Sequence, residues 1–301
     1  MAGIQHRRGP NVVGFWGLLQ PFADGLKLIA KEIVIPRKSN GILFVLAPII
    51  TLFLSLSGWC VIPYNYNNVI CDVRLGILFV LLVNSLGIYG ILISGWSSNS
   101  KYAFLGSIRS IAQMISYEIS FGLILVTIIM CCGTLNLQEL VYWQEHCVWF
   151  SIPFLPLAII FFICILAETN RVPFDLPEAE AEIVAGYNVE YSSITFALFF
   201  LGEYSSMLLM SAFYIILFWG GWALPLNFFG FNNIFYVFFF SFKLVIVCYV
   251  FILVRASFPR YRYDQLMDIG WKVFLPITLG YVFFTSALLI VFDGLPSLVK
   301  I

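Results

Sequence analysis

The sequence predicts an all-α membrane protein of about seven transmembrane helices, and three observations carry that prediction. Of the 301 residues 61% are apolar and only 11% are charged, against roughly 25% charged in a soluble domain. Apolar windows of about 20 residues, the length needed to cross a bilayer core, recur along the chain, and the mean hydropathy is +0.96. Strand-period alternation is absent, so helices are the spanning structure that satisfies every backbone group internally.

The first 40 residues precede any span. Phe22, Leu26, Ile29 and Ile33 recur at helical spacing while Asp24, Lys27, Lys31 and Glu32 occupy other faces, which predicts an amphipathic helix lying in the membrane interface over 15–35. No apolar signal region with a cleavage site follows the basic N-terminal patch. The spans then fall near 41–63, 75–95, 112–133, 148–167, 192–220, 234–256 and 273–293. Together 1–301 read as a single membrane domain, with an interfacial segment at 1–40, an acidic loop at 168–191 and a basic, aromatic loop at 255–272.

Orientation follows from the basic residues. Arg7, Arg8, Lys27, Lys31, Arg37, Lys38, Lys101, Arg109, Arg171, Arg255, Arg260, Arg262 and Lys272 fall on one side, and only Arg74 and Lys300 on the other. The N-terminal segment therefore belongs on the cytoplasm-equivalent side. Sixteen cations balance sixteen acids, leaving no basic field for nucleic acid. The seven cysteines show no metal-site spacing. Cys71 and Cys147 alone look aqueous, and sequence leaves open whether they pair.

Charges inside spans are costly and mark function by default. Glu118 lies about 9 Å and Glu203 about 16 Å into their spans at ~1.5 Å per residue; Lys243 lies within another span, where it could counter either. A structural ion pair and a proton relay are equally compatible with burial alone. The loop from Glu168 to Glu190 holds six acids, including Asp175, Glu178, Glu180 and Glu182, beside the single Arg171. With Glu118 and Glu203 it forms one acidic line from loop to midplane. The loop containing Arg255, Arg260 and Arg262 among Phe258, Tyr261 and Tyr263 suits anionic lipid, a planar polar headgroup or an acidic neighbour.

Four runs carry a resemblance: AETNRVPFDLPEAEAEIVAGYNVEYSS (167–193), FPRYRYDQLM (258–267), RRGPNVVGFWGLLQPFADGLKL (7–28) and GWSSNSKYAFLGSIRSIAQMISYE (95–118). They resemble membrane subunit 1 of the proton-pumping NADH:ubiquinone oxidoreductases of the respiratory chain, complex I, in its mitochondrially encoded form. The resemblance implies a core subunit of an inner-membrane translocase that lines a ubiquinone chamber and binds no cofactor itself. NADH, FMN and iron-sulfur clusters would belong to partner subunits, and the partners would be the hydrophilic quinone-module subunits, small membrane subunits and lipid. It assigns Arg171, Asp175, Glu178, Arg255 and Arg260 to the chamber, and Asp24, Glu118, Glu168, Glu182 and Glu203 to proton movement, which favours the relay over the ion pair. Equivalent hydrogenase subunits and stand-alone ion or solute transporters are the competing classes. Family members have eight spans, and the first would precede Gln5; either a separate chain supplies it, or the start is truncated, or the quinone gate is built differently.

Overall fold

The computed structural model describes residues 2–66, 68–175, 186–223 and 233–293. A short surface helix α1 (Gln20–Ala30) leads to α2 (Gly41–Ser57), α3 (Gly76–Ser97), α4 (Lys101–Cys132), α5 (Leu137–His146), α6 (Leu155–Glu168), α7 (Ser193–Phe218), α8 (Asn233–Ser257) and α9 (Tyr263–Val291). Six of these, α2, α3, α4, α7, α8 and α9, are long and apolar enough to cross a membrane. No strand occurs among the described residues. This is an all-α polytopic membrane protein.

Three expected boundaries are corrected. The span placed at 148–167 is the 14-residue α6, about 21 Å long at ~1.5 Å per residue and so short of a roughly 30 Å core. Pro156 fits the first turn of this helix but no interior position, so the chain before it takes turns, not helix. α4 starts at Lys101, eleven residues before the expected 112, because Lys101 and Arg109 lie on the exposed side of a first stretch of helix instead of in a loop. Likewise Tyr263–Asp268 is already helical and continues through a π-helical stretch, Ile269–Phe274, into Leu275–Val291. The loop between α8 and α9 shrinks accordingly to 258–262.

Successive helices run antiparallel. One end, rich in Lys and Arg, gathers α1, the α3–α4 corner, the end of α6, the start of α7 and the 258–262 loop; at this basic end Asn40 N donates to the Ser97 carbonyl and Tyr261 N to that of Pro173. At the opposite end Cys71 N reaches the Cys60 carbonyl and Ile77 N that of Leu135. α1 rests on α7 while Phe22, Leu26, Ile29 and Ile33 stay exposed, the face a lipid interface would cover.

α4 is the central strut, packed on α3, α6, α9 and the 3-10 turn Gly186–Asn188. Its buried face carries Ser107, Ser110, Gln113, Ser116, Ser120 and Thr127. Ser107, Ser110, Ser116 and Thr127 donate to carbonyls one turn back, at 2.6–2.9 Å, so these small polar residues permit close helix approach without stranding their hydroxyls. Below them Phe121, Phe161, Phe213 and Phe218 stack, with Phe121 and Phe161 centroids 4.6 Å apart.

The opposite end of α7 is closed by tertiary donors, as a helix end inside an apolar slab requires. Gln144 donates to the carbonyls of Ile216 and Leu217, Ser151 N to that of Phe218, and Lys243 to those of Trp219, Gly221 and Ala223. The expectation that Lys243 counters Glu118 or Glu203 is therefore corrected. Its three ammonium donors are taken by carbonyls of the turn after α7, and the charge lies 4.4 Å over the Trp149 ring. All seven cysteines are free, Cys71 and Cys147 included.

Candidate functional site

The site begins with α4. Gln113, fully buried, donates its Nε2 to the carbonyls of both Ala167 and Phe174, each at 2.9 Å. That double bond clasps the segment following α6 into a compact turn, in which Arg171 N reaches the Leu166 carbonyl and Phe174 N the Arg171 carbonyl. The turn drives Arg171 inward against α7. Its side chain, 8% exposed, places Nη2 3.7 Å from Glu203 Oε2 and lays the guanidinium 4.3 Å over Tyr204.

Glu203 is held from a second side. Tyr187, in the turn Gly186–Asn188, donates its phenol to Glu203 Oε1 at 2.5 Å. The turn sits hard against α4, where Gly106 leaves room for the Gly186 backbone. Tyr187 and Tyr191 in turn pack edge-on against Phe199, and Tyr191 stacks on Phe44 at 4.0 Å. Burial pushes the Tyr191 phenol up to about 12, so it remains a neutral packing plate.

A cavity of about 80 Å³ opens between α2, α3, α6 and α7, well beyond the roughly 15 Å³ that one water needs. Asn84, Glu168, Asn170, Tyr187, Glu203 and Ser206 supply its polar wall. Glu118 on α4 accepts a short hydrogen bond from Ser85 on α3, and its charge acts on Glu168. Glu168 from α6 and Glu203 from α7 thus share one wettable space inside an apolar bundle, with Glu118 from α4 close enough to act on Glu168. Such a space can hold protons on acids and move them over water.

A second locus lies at the other end of the same turn. Asp175, its side chain 2% exposed, pairs with the half-exposed Arg260 at 3.4 Å. Phe174 stacks on Tyr261 at 5.7 Å, and Tyr117 on α4 donates to the Leu266 carbonyl at 3.0 Å. The loop before α9 is thereby bound to the turn after α6, with Arg171 and Asp175 four residues apart on the connecting stretch.

The structure brings Glu168 and Glu203 together at the cavity, with Arg171 against Glu203 and Glu118 acting on Glu168, and it pairs Asp175 with Arg260. Arg255 occupies the last turn of α8. Asp24 sits apart on α1, exposed, accepting from Gln20 at 3.0 Å. Glu178 and Glu182 lie outside the described residues. Sequence reasoning missed Gln113, Tyr187 and Ser85. A lone amide in the apolar run of α4 was a usable signal for Gln113; Tyr187 and Ser85 carry none, since only tertiary packing aims them. No group of three or more metal-ligating side chains occurs among the described residues.

The family model described as NADH dehydrogenase matches residues 1–286. The chain is 56% identical to NADH-ubiquinone oxidoreductase chain 1 of Chondrus crispus, over 98% of this chain and 90% of that protein. It is equally 56% identical to the chain of the same name in Arabidopsis thaliana, over 98% and 91%. With the chain of the same name in Cyanidium caldarium the identity is 55%, over 99% and 86%. Matched over nearly its whole length by that model and by these relatives, the chain belongs to the NADH dehydrogenase family.

Proposed function

We infer that this core membrane subunit of an NADH:ubiquinone oxidoreductase lines the chamber that admits the quinone and passes protonation changes from there into the membrane. The placing of Glu168 and Glu203 on one cavity inside the bundle, with Glu118 acting on Glu168 from α4, carries the reading. Structural ion pairs do not need three carboxylates from three helices beside a single guanidinium, and burying that much like charge is costly unless protons are shared. Arg171, Asp175 and Arg260 form the wall between cavity and loop, with Arg255 and Glu178 contributing to the chamber and Asp24 and Glu182 to proton movement.

In this reading the quinone is substrate. NADH, FMN and iron-sulfur clusters are carried by hydrophilic partner subunits, and small membrane subunits continue the proton path. The protein is an inner-membrane, multi-pass chain; the basic end faces the matrix of a mitochondrion, as the thirteen cations on that side suggest.

The test is Glu203→Gln in the assembled complex. The amide keeps the shape and removes the exchangeable proton, so quinone reductase turnover and proton pumping should fall together. Undiminished coupled turnover in an intact complex would reduce Glu203 to a structural residue.

A further inference from the structure

Glu203 and Arg171 stand in an unusual relation. A buried guanidinium and a carboxylate ordinarily collapse into a charge-assisted pair at about 2.8 Å, yet here the nearest approach of Arg171 Nη2 to Glu203 Oε2 is 3.7 Å. The guanidinium has reason to close the gap, because its Nε and Nη2 are buried and find no hydrogen-bond acceptor among the described residues. Unmade bonds of this kind are costly for a buried group. Something must hold the carboxylate off.

We propose that Tyr187 is a positioning residue that keeps Glu203 from locking onto Arg171. Its phenol grips Oε1 at 2.5 Å from the side of the Gly186–Asn188 turn, and the ring is itself fixed against Phe199. Arg171 is fixed in turn by its stacking over Tyr204 and by the backbone clasp of Gln113 on both sides of it. The carboxylate is thus suspended between a neutral donor and a cation, facing Glu168 across the cavity, with Glu118 behind Glu168. Thr51, Ser55 and Asn84, from α2 and α3, add polar but uncharged lining.

The suspension matters for chemistry. A carboxylate in a closed pair with a guanidinium must break a salt bridge before it can take up a proton. Held by a phenol, the same group can take a proton from the cavity and release it again without a salt bridge having to break. Tyr187 exchanges no proton in this scheme; it sets the geometry in which Glu203 can.

This inference rests on the relay reading of Glu203, and the experiment separates the two. In the assembled complex in native membranes, turnover is measured for Tyr187→Phe in the wild-type background and again in an Arg171→Gln background. Phenylalanine keeps the ring contacts, so native gel migration should be unchanged. The expected result is that losing the phenol slows turnover in the wild-type background, and that this penalty shrinks at least about threefold once Arg171 can no longer capture the carboxylate, as coupled partners require. A cryo-electron-microscopy structure of the Tyr187→Phe complex should show the Arg171–Glu203 separation closed to about 2.8 Å. Equal penalties in both backgrounds, or a separation still near 3.7 Å, would overturn the proposal. Should Glu203→Gln itself prove silent, the relay reading falls instead, independently of what Tyr187→Phe does.

Discussion

Lys243 on α8 donates to the carbonyl of Trp219, just past the end of α7, at 2.8 Å, and so joins two spans through a charge inside the membrane slab. Two more carbonyls, of Gly221 and Ala223, complete the ammonium's three donors. The turn that presents them runs through Gly220 and Gly221, both at positive φ; side chains there would collide with the Trp149 ring and with Val141. A cation at a helix C-terminus also meets the negative end of the helix dipole.

Replacing this group should therefore act on stability and leave the carboxylate chemistry alone. Lys243→Met keeps the stem and strands three carbonyls, each costing about 1 kcal/mol or more. The expected outcome is a loss of about 3 kcal/mol in the stability of the subunit, read as a lower melting temperature of the detergent-purified complex. Residual turnover per assembled complex should stay near normal. A melting temperature equal to that of the wild type would show the bonds to be replaceable.

Gln113 invites the opposite experiment, because its two bonds shape the turn that carries Arg171. Gln113→Leu keeps the volume and releases the carbonyls of Ala167 and Phe174. Loss of two buried bonds worth about 1 kcal/mol each should loosen Arg171 and Asp175 together. Apparent affinity for short-chain quinones or for chamber inhibitors should weaken by about tenfold, the equivalent of roughly 1.4 kcal/mol, with a fall in melting temperature smaller than that of Lys243→Met. Unchanged affinities in the assembled variant would detach this turn from the chamber.

Asp175 and Arg260 differ sharply in exposure, 2% against 50% for their side chains. Removing the arginine takes one cationic neighbour from a buried carboxylate, whereas removing both charges leaves no charge to desolvate. Arg260→Gln should accordingly impair quinone affinity more than Arg260→Gln/Asp175→Asn. The coupling from the four-member cycle should be about 1 kcal/mol, modest because water screens the exposed partner. Additive effects would mean that the two groups act on the quinone separately.

Much of the architecture could be read from hydropathy because lipid-facing helices are apolar on nearly every side. The spans at α2, α3, α7 and α8 begin and end within a few residues of their expected limits. Reading failed where helices leave the slab. Lys101 and Arg109 look like loop residues in any hydropathy window, yet they continue α4 into the interface, and Tyr263 to Lys272 do the same for α9. Glu118 and Glu203 stood out because a carboxylate in an apolar run is conspicuous, and Glu168 because it opens a loop of six acids. Lys243 was equally conspicuous, and its partner was misjudged, since backbone carbonyls are invisible to a search for opposite charges. Nothing in one sequence points Tyr187 at Glu203; that contact depends on how closely a turn can approach α4.

The closeness of that approach gives the last prediction. A Cβ added at Gly106 would lie 2.6 Å from Gly186 Cα and 2.9 Å from its carbonyl carbon, and both are backbone atoms that no rotamer change can withdraw. Taken alone, Gly106→Ala favours the helix by roughly 1 kcal/mol, since alanine is the better helix former. The collision opposes this and should exceed it, overpacking in a tight core costing about 1–3 kcal/mol. Relief has one direction available: the Gly186–Asn188 turn must move off α4, and Tyr187 goes with it, lengthening its 2.5 Å bond to Glu203. Gly106→Ala should therefore slow turnover in a complex that still assembles, although the substitution touches no charged group and lies on a different helix from Glu203. Measured turnover and melting temperature together decide it. A variant that melts higher and turns over normally would show that the turn yields without carrying Tyr187 away, and would separate the packing of α4 from the carboxylate it is argued to position.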